Sequence, residues 1–469
     1  MIKKLIFIFF FLFTASESWS QQFGLFNSGT LYDAFENPSQ KAFQADSSRK
    51  FAFNFFIPTI SFDAAFRGPA EENFKTLIYD KVINGRNINA EPGDANLFTA
   101  TSNNYMLMIR IFKSVEYNQE IGFSWQIRNE GRGNLTNATF SILDDYRVFE
   151  AGQLENIFNN KGYNQSYNQY SFNYREDYNK RLSLGLKLSL LSGITYNSID
   201  INQSSLNIRP NEKEFDVSVN GNYKSSFAEE DLNRGIFNPT FHDPGLSVST
   251  GASYKFKGGW FLMGNLKDIG FIKWNKNSYS YNLNSAEIQI TDAASPDADE
   301  RLEKEINKML TAKKNNASYT SMTNGKVEAL INRKFGNYEP NLIVSKNLFY
   351  EGGHVALANN LKVRNYVFTA IADYNLDNYI ALGGQFMIKT PNVEFFVGSD
   401  QVFKTYQATR SFLSSNPQYS TGNAAASAYF GFALKFGPVM EHQQNATFIP
   451  GMNGNFDRAG WFKKLFGKR

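Results

Sequence analysis

From Glu120 to Arg128 the chain alternates without a break. Ile121, Phe123, Trp125 and Ile127 are apolar, and the residues between them are small, polar or charged. Successive side chains of a strand point to opposite faces, so one face here is greasy and the other wet. A half-buried strand of a soluble sandwich reads the same way. Recurrence along the chain, and what precedes it, separates the two readings.

The pattern recurs over residues 50–66, 105–112, 120–128, 167–175, 181–190, 246–256, 260–271, 326–335, 341–349, 354–362, 366–374, 379–389, 393–400 and 427–436. Tyr105, Leu107, Ile109 and Ile111 are expected on one side of the second strand, and Tyr170, Phe172 and Tyr174 outward on the fourth. Ala428, Phe430, Phe432, Leu434 and Phe436 share a face of the last. This spacing predicts an all-β, transmembrane antiparallel barrel of about 14 strands, an even number as in bacterial outer-membrane barrels. Early connections alternate long and short, as extracellular loops and periplasmic turns do, and an even count leaves both ends periplasmic. Lys257-Gly258-Gly259 reads as a tight hairpin.

Helical insertions are expected in the long loops. Phe74, Leu77, Ile78 and Val82 share a face over 70–82. In the excursion 273–323, Ser295 can cap a helix begun by Pro296, with Asp297, Asp299 and Glu300 at its positive end. Leu302, Ile306, Met309 and Leu310 form its stripe. An extra hairpin above the sheet fits the stretch before His242. Residues 273–323 and 401–426 are expected outside the cell.

Composition narrows the class. Aromatic residues make up 16% of the chain, with 45 Phe and 24 Tyr, yet mean hydropathy is -0.40. Aromatic girdles around a polar interior reconcile the two; a helical membrane protein would be more hydrophobic. Met1-Ile2-Lys3-Lys4, an apolar run to Phe13 and small Ser18 and Ser20 predict a cleaved signal peptide over 1–20. The run is too short to span a bilayer, which takes ~20 apolar residues. The expected boundaries are then a periplasmic N-terminal segment or plug at 21–48, a barrel at 49–437 and a periplasmic tail at 438–469.

There is no cysteine, so no disulfide, thiol nucleophile or cysteine-ligated metal. His242, His354 and His442 are far apart in sequence. No His-Glu-x-x-His, phosphate loop or Gly-x-Ser-x-Gly occurs. These residues point to no enzyme, cofactor or metal. The net charge of +4 points to no nucleic-acid partner.

The wet faces carry Arg110, Arg128, Arg175, Lys187, Lys255 and Lys435, with Glu120 and Asp373 as counter-charges. Charge is tolerated there because it faces the lumen, whereas at mid-bilayer a lipid-facing charge costs roughly 2–4 kcal/mol. Glu120, Arg128, Lys187, Lys255 and Lys435 are the candidate lumen-lining residues. Two roles are open: pairing that plugs the lumen, or a basic wall for an anionic or amphiphilic solute. Phe432→Arg is expected to impair assembly, and Lys435→Gln to be mild.

Several stretches carry a resemblance: Asn37-Pro38, residues 187–194, Pro244-Gly245-Leu246, residues 268–274, and Phe396-Val397-Gly398-Ser399-Asp400. Together they resemble a Bacteroidota outer-membrane family known as a domain of unknown function. That family is similar in turn to fatty-acid-transporter-like barrels and to barrels associated with type IX secretion and gliding. The resemblance implies a non-enzymatic barrel that transports or binds a hydrophobic or amphiphilic ligand, or alternatively a scaffold of an envelope machine.

The tail adds one candidate. Trp461, Phe462, Leu465 and Phe466 recur four apart in two pairs, among Lys463, Lys464, Lys468 and Arg469. Such a basic amphipathic segment docks on outer-membrane lipid or a periplasmic envelope protein. A disordered solubilising end is the alternative.

Overall fold

The computed structural model describes residues 22–80, 95–114, 118–144, 149, 152–209, 211, 213–227, 239–292, 295, 298–414, 416, 422, 424–441 and 461–462. The alternating segments form one antiparallel sheet that closes on itself. Its strands are β1 in two halves (Arg49–Phe53 and Ile60–Arg67), β2 (Ala95–Ser114), β3 (Gln119–Thr136), β4 (Lys161–Asp177), β5 (Leu182–Arg209), β6 (Pro244–Lys255) and β7 (Trp260–Trp274). There follow β8 in two pieces (Tyr319–Met322 and Lys326–Arg333), β9 (Tyr338–Asn347), β10 (Gly353–Val363), β11 (Tyr366–Asn375), β12 (Tyr379–Lys389), β13 (Val393–Ser399) and β14 (Ala424–Val439). Each pairs with the next. The ring closes where Phe53 faces Leu434 and Ile60 faces Phe430. Closure leaves the wall no free edge.

Burial along the strands is the reverse of a water-soluble sheet. Phe123, Leu190 and Ile380 are 42%, 58% and 72% exposed, while Arg110, Ser124, Gln126 and Lys187 are wholly buried. A soluble sandwich would bury the first set and expose the second. The barrel reading therefore holds, with apolar side chains outward and polar ones in the lumen.

Three local departures re-aim side chains. In β2 the register slips between Tyr105 and Leu107, so Tyr105 turns inward and is buried, away from Leu107, Ile109 and Ile111. Strict alternation had placed the four together; a bulge adds one residue and flips the phase. In β7 the register slips between Leu266 and Ile269. Asp268, with φ +49°, joins Lys267 on the buried side. The first strand, expected unbroken over 50–66, is interrupted where Phe55 and Phe56 adopt positive φ. The Asn54 amide seals that break: its Oδ1 accepts the Met108 N–H at 3.0 Å and its Nδ2 donates to the Met106 carbonyl at 3.2 Å.

The long connections emerge at one end of the barrel and the short turns at the other. Helix α1 (Leu31–Glu36) lies in the N-terminal segment. Helices α2 (Glu71–Asp80), α3 (Asn137–Asp144), α4 (Ala298–Lys313) and α5 (Val402–Ser414) belong to the long-loop end. β5 runs on past the wall, and its far half pairs with a strand at Glu214–Ser225, the extra hairpin expected there. Leu302, Ile306 and Met309 of α4 pack on the core of that small sheet, beside Leu206, Phe215 and Ile288.

Candidate functional site

Residues 22–48 fill the lumen. The Gln22 N–H donates to Asp400 at 2.7 Å, near the long-loop end. The chain then descends: Gln385 holds the Gly24 carbonyl at 3.0 Å, and Lys389, near the short-turn end, donates to the Ser28 carbonyl. α1 starts there, its Thr30 hydroxyl capping the Asp33 N–H, and its first N–H donates to Glu394 at 2.7 Å. The helix climbs back to Asn37-Pro38, which opens a turn closed by the Gln40 N–H donating to the Asn37 carbonyl at 3.0 Å. The turn presses on β5 and β6. A Cβ on Gly185 would lie 2.0 Å from the Pro38 carbonyl oxygen, and one on Gly251 2.6 Å from Asn37. Only glycine admits that approach. The segment then returns to the short-turn end, where Ser48 donates to Pro391.

Charge anchors this plug. Glu36 pairs with Lys267 and accepts from the Tyr105 hydroxyl at 2.6 Å and from Asn103 at 2.7 Å. Burial would raise its carboxyl, but Lys267, Arg128 and Lys187 outweigh burial and hold it at about 2. Burial pushes the neighbouring Asp33 carboxyl up to about 7, against the Gly29 N–H that donates to it. Arg110 bridges plug and wall: it pairs with Glu120 at 2.7 Å and donates to the Ala34 carbonyl, while Glu120 accepts the Ala42 N–H at 3.1 Å.

The wall residues expected in the lumen are distributed as follows. Arg128 and Lys187 converge on Asp268, Lys187 at 3.1 Å, and Gln169 and Ser249 complete that carboxylate's shell. Lys435 pairs with Glu394 at 2.6 Å, and Arg175 holds the Ser39 carbonyl at 3.0 Å. Lys255 keeps the inward phase of β6 but lies exposed at the short-turn rim, apart from the others. Sequence reading missed Asp268, Lys267, Glu394 and Glu36. Two adjacent charges, Lys267-Asp268, inside an alternating strand were the available signal of a bulge.

Above the plug, a small recess opens at the long-loop end. Its floor includes Phe23, which packs on Met263, Leu330, Ile343 and Ile371. Its walls carry Asp63, Glu351, Asp373, Asp377 and Asp400 against Arg132, Lys326 and His354. Arg132 grips Asp377 with two hydrogen bonds of 2.8 Å, and His354 meets Asp373 at 2.8 Å. Among the described residues, no cluster of metal-ligating side chains occurs.

On the outer face near the short-turn end, Trp461 and Phe462 touch the barrel. The Trp461 N–H donates to the Tyr174 hydroxyl at 3.1 Å, and the Phe462 ring lies 5.9 Å from that of Tyr174. Leu465, Phe466 and His442 lie outside the described residues, as do residues 1–20.

A model of a family of unknown function, DUF5723, matches residues 42–400. No curated protein matches the sequence. Among solved structures, the toluene transporter TodX of Pseudomonas putida is similar over 87% of this chain and 94% of its own, at 6% identity and a TM-score of 0.41. A Pseudomonas aeruginosa FadL homologue is similar over 88% and 94%, at 10% identity and a TM-score of 0.40.

Proposed function

The chain belongs to the DUF5723 family, and from that premise we propose that it is a non-enzymatic outer-membrane barrel that takes an amphiphilic solute from outside the cell. The inverted burial of its strands supports the membrane: only lipid favours an outer face built from Phe123, Leu190 and Ile380. The long-loop end then faces outward and the turns face the periplasm. Export rests on the signal peptide expected at 1–20.

The recess carries the functional reading. It sets the Phe23 ring at the base of a largely polar recess, which suits a solute with a polar head and a small apolar part. Five carboxylates line it against Arg132, Lys326 and His354. The favoured head is therefore cationic or neutral, not the anion that a basic wall would select. The plug closes the path beneath, so passage requires it to move.

Phe23→Trp in the full chain, reconstituted in vesicles, tests this. A brominated decyl chain with a trimethylammonium head should quench the new indole saturably, and its carboxylate counterpart should do so more weakly. Absence of saturable quenching by either probe would remove the proposal.

A second reading has its own observation. The contact of Trp461 and Phe462 with Tyr174 lies at the short-turn end, which the orientation proposed above would turn to the periplasm. A scaffold of an envelope secretion or gliding machine would use such a segment. Deleting residues 460–469 and comparing co-purified periplasmic proteins tests that role; an unchanged set would exclude it.

A further inference from the structure

Strand β13 has seven residues, against eleven in β12 and sixteen in β14. Its pairing ends at Ser399↔Gly384 and Gly398↔Tyr429. Beyond those pairs, the outer ends of β12 and β14 have no strand between them. Gly384 lies five residues from Tyr379, the end of β12, so the missing stretch is roughly 17 Å long at the rise of a strand. Helix α5 occupies it.

Two contacts place the helix in the wall. Val402 lies 3.6 Å from where a Cβ on Gly384 would stand, and Gly384 has the outward phase of β12. Thr405 replaces a strand's backbone: the Ser427 N–H donates to its hydroxyl at 2.8 Å, and the hydroxyl donates to the Ser427 carbonyl at 3.0 Å. An open sheet edge is not tolerated at membrane depth, and here the Thr405 side chain satisfies both backbone groups of Ser427 on that edge.

The helix buries polar residues and exposes large apolar ones, as the strands do, although its exposed residues also include Arg410. Gln401, just before its first turn, and Ser411 are buried, and Gln401 donates to Asp63 of β1 at 2.7 Å. Phe403, Tyr406 and Leu413 recur on the opposite face, 65%, 64% and 79% exposed, with the exposed Arg410 in the same stripe, where its long stem can carry the charge out to the membrane surface. That face continues the outer apolar surface of β12, where Ile380 and Leu382 are also exposed. We infer that α5 is a membrane-embedded piece of the barrel wall, with Phe403, Tyr406 and Leu413 in the acyl chains of the outer leaflet. It separates the recess, which Gln401 lines, from lipid.

The inference rests on the membrane reading above, and the test separates the two. The chain has no cysteine, so Phe403→Cys and Tyr406→Cys give single nitroxide sites in the full protein, refolded in phosphatidylcholine vesicles. Ile380→Cys on β12 and Lys308→Cys on α4 are the lipid and water references. Both α5 labels should collide with oxygen rather than a water-soluble nickel chelate, in the ratio shown by Ile380→Cys and several-fold above Lys308→Cys. Nickel collisions at the Lys308→Cys level would put α5 in water and overturn the inference. Loss of both collisions would put it under a second copy or another protein, and also overturn it. An aqueous signal at Ile380→Cys would overturn the membrane reading itself.

Discussion

The two ends of the lumen handle charge differently. At and below the level of the plug, ionised groups are buried and matched: Arg110 with Glu120, Arg128 and Lys187 with Asp268, Lys267 with Glu36, and Lys435 with Glu394. In the recess, Glu351 is 67% exposed and reaches Arg132 only at 3.4 Å. Buried charge without a partner is costly, so the lower pairs are obligatory, whereas exposed pairs contribute little. The lower half is built as a fixed seal, whereas the recess pairs Asp377 with Arg132 and Asp373 with His354 but leaves Glu351 largely in solvent.

The largest test of this contrast removes the hub. Asp268→Asn leaves Lys187 and Arg128 without their carboxylate and should cost about 3–5 kcal/mol in folding equilibria measured by urea titration in vesicles. Lys435→Gln should cost a similar amount. The sequence pattern alone suggested a mild effect; the structure makes Glu394 a buried partner of Lys435. A near-neutral Lys435→Gln would show that water reaches that level.

Glu36→Gln acts on the plug rather than the wall. It should weaken plug seating by about 1–3 kcal/mol, read as faster protease cleavage within residues 22–48, with the barrel intact. The plug should also respond to pH. The Asp33 carboxyl is raised from 3.8 to about 7 in the folded protein. Its contribution is therefore fully present below the unfolded value and is lost as pH rises through about 7. Plug cleavage should quicken over that window, and Asp33→Asn should flatten the dependence. Glu351→Gln in the recess should be smallest, below about 1 kcal/mol on stability. An effect as large as that of Asp268→Asn would erase the distinction between the two ends.

Much of the wall was readable in the chain. Gln126 and Phe123 differ in facing because a strand's side chains alternate, and that is a property of the local backbone. The stripe Leu302, Ile306 and Met309 likewise identified α4. The bulges were not readable from alternation, because a register slip belongs to a pair of strands; Tyr105 and Asp268 changed sides through it.

By itself, then, the sequence determined strand identity, strand number and the two-faced character of the barrel, since period-two patterning depends on neighbours along the chain. Only tertiary structure decided where residues 22–48 go and what α5 is. Asn37-Pro38 meets Gly185 and Gly251 only once the ring has closed around it. Thr405 can stand in for a strand only because β13 stops short between two longer neighbours. Both depend on distances between residues far apart in the chain, and no local pattern encodes those.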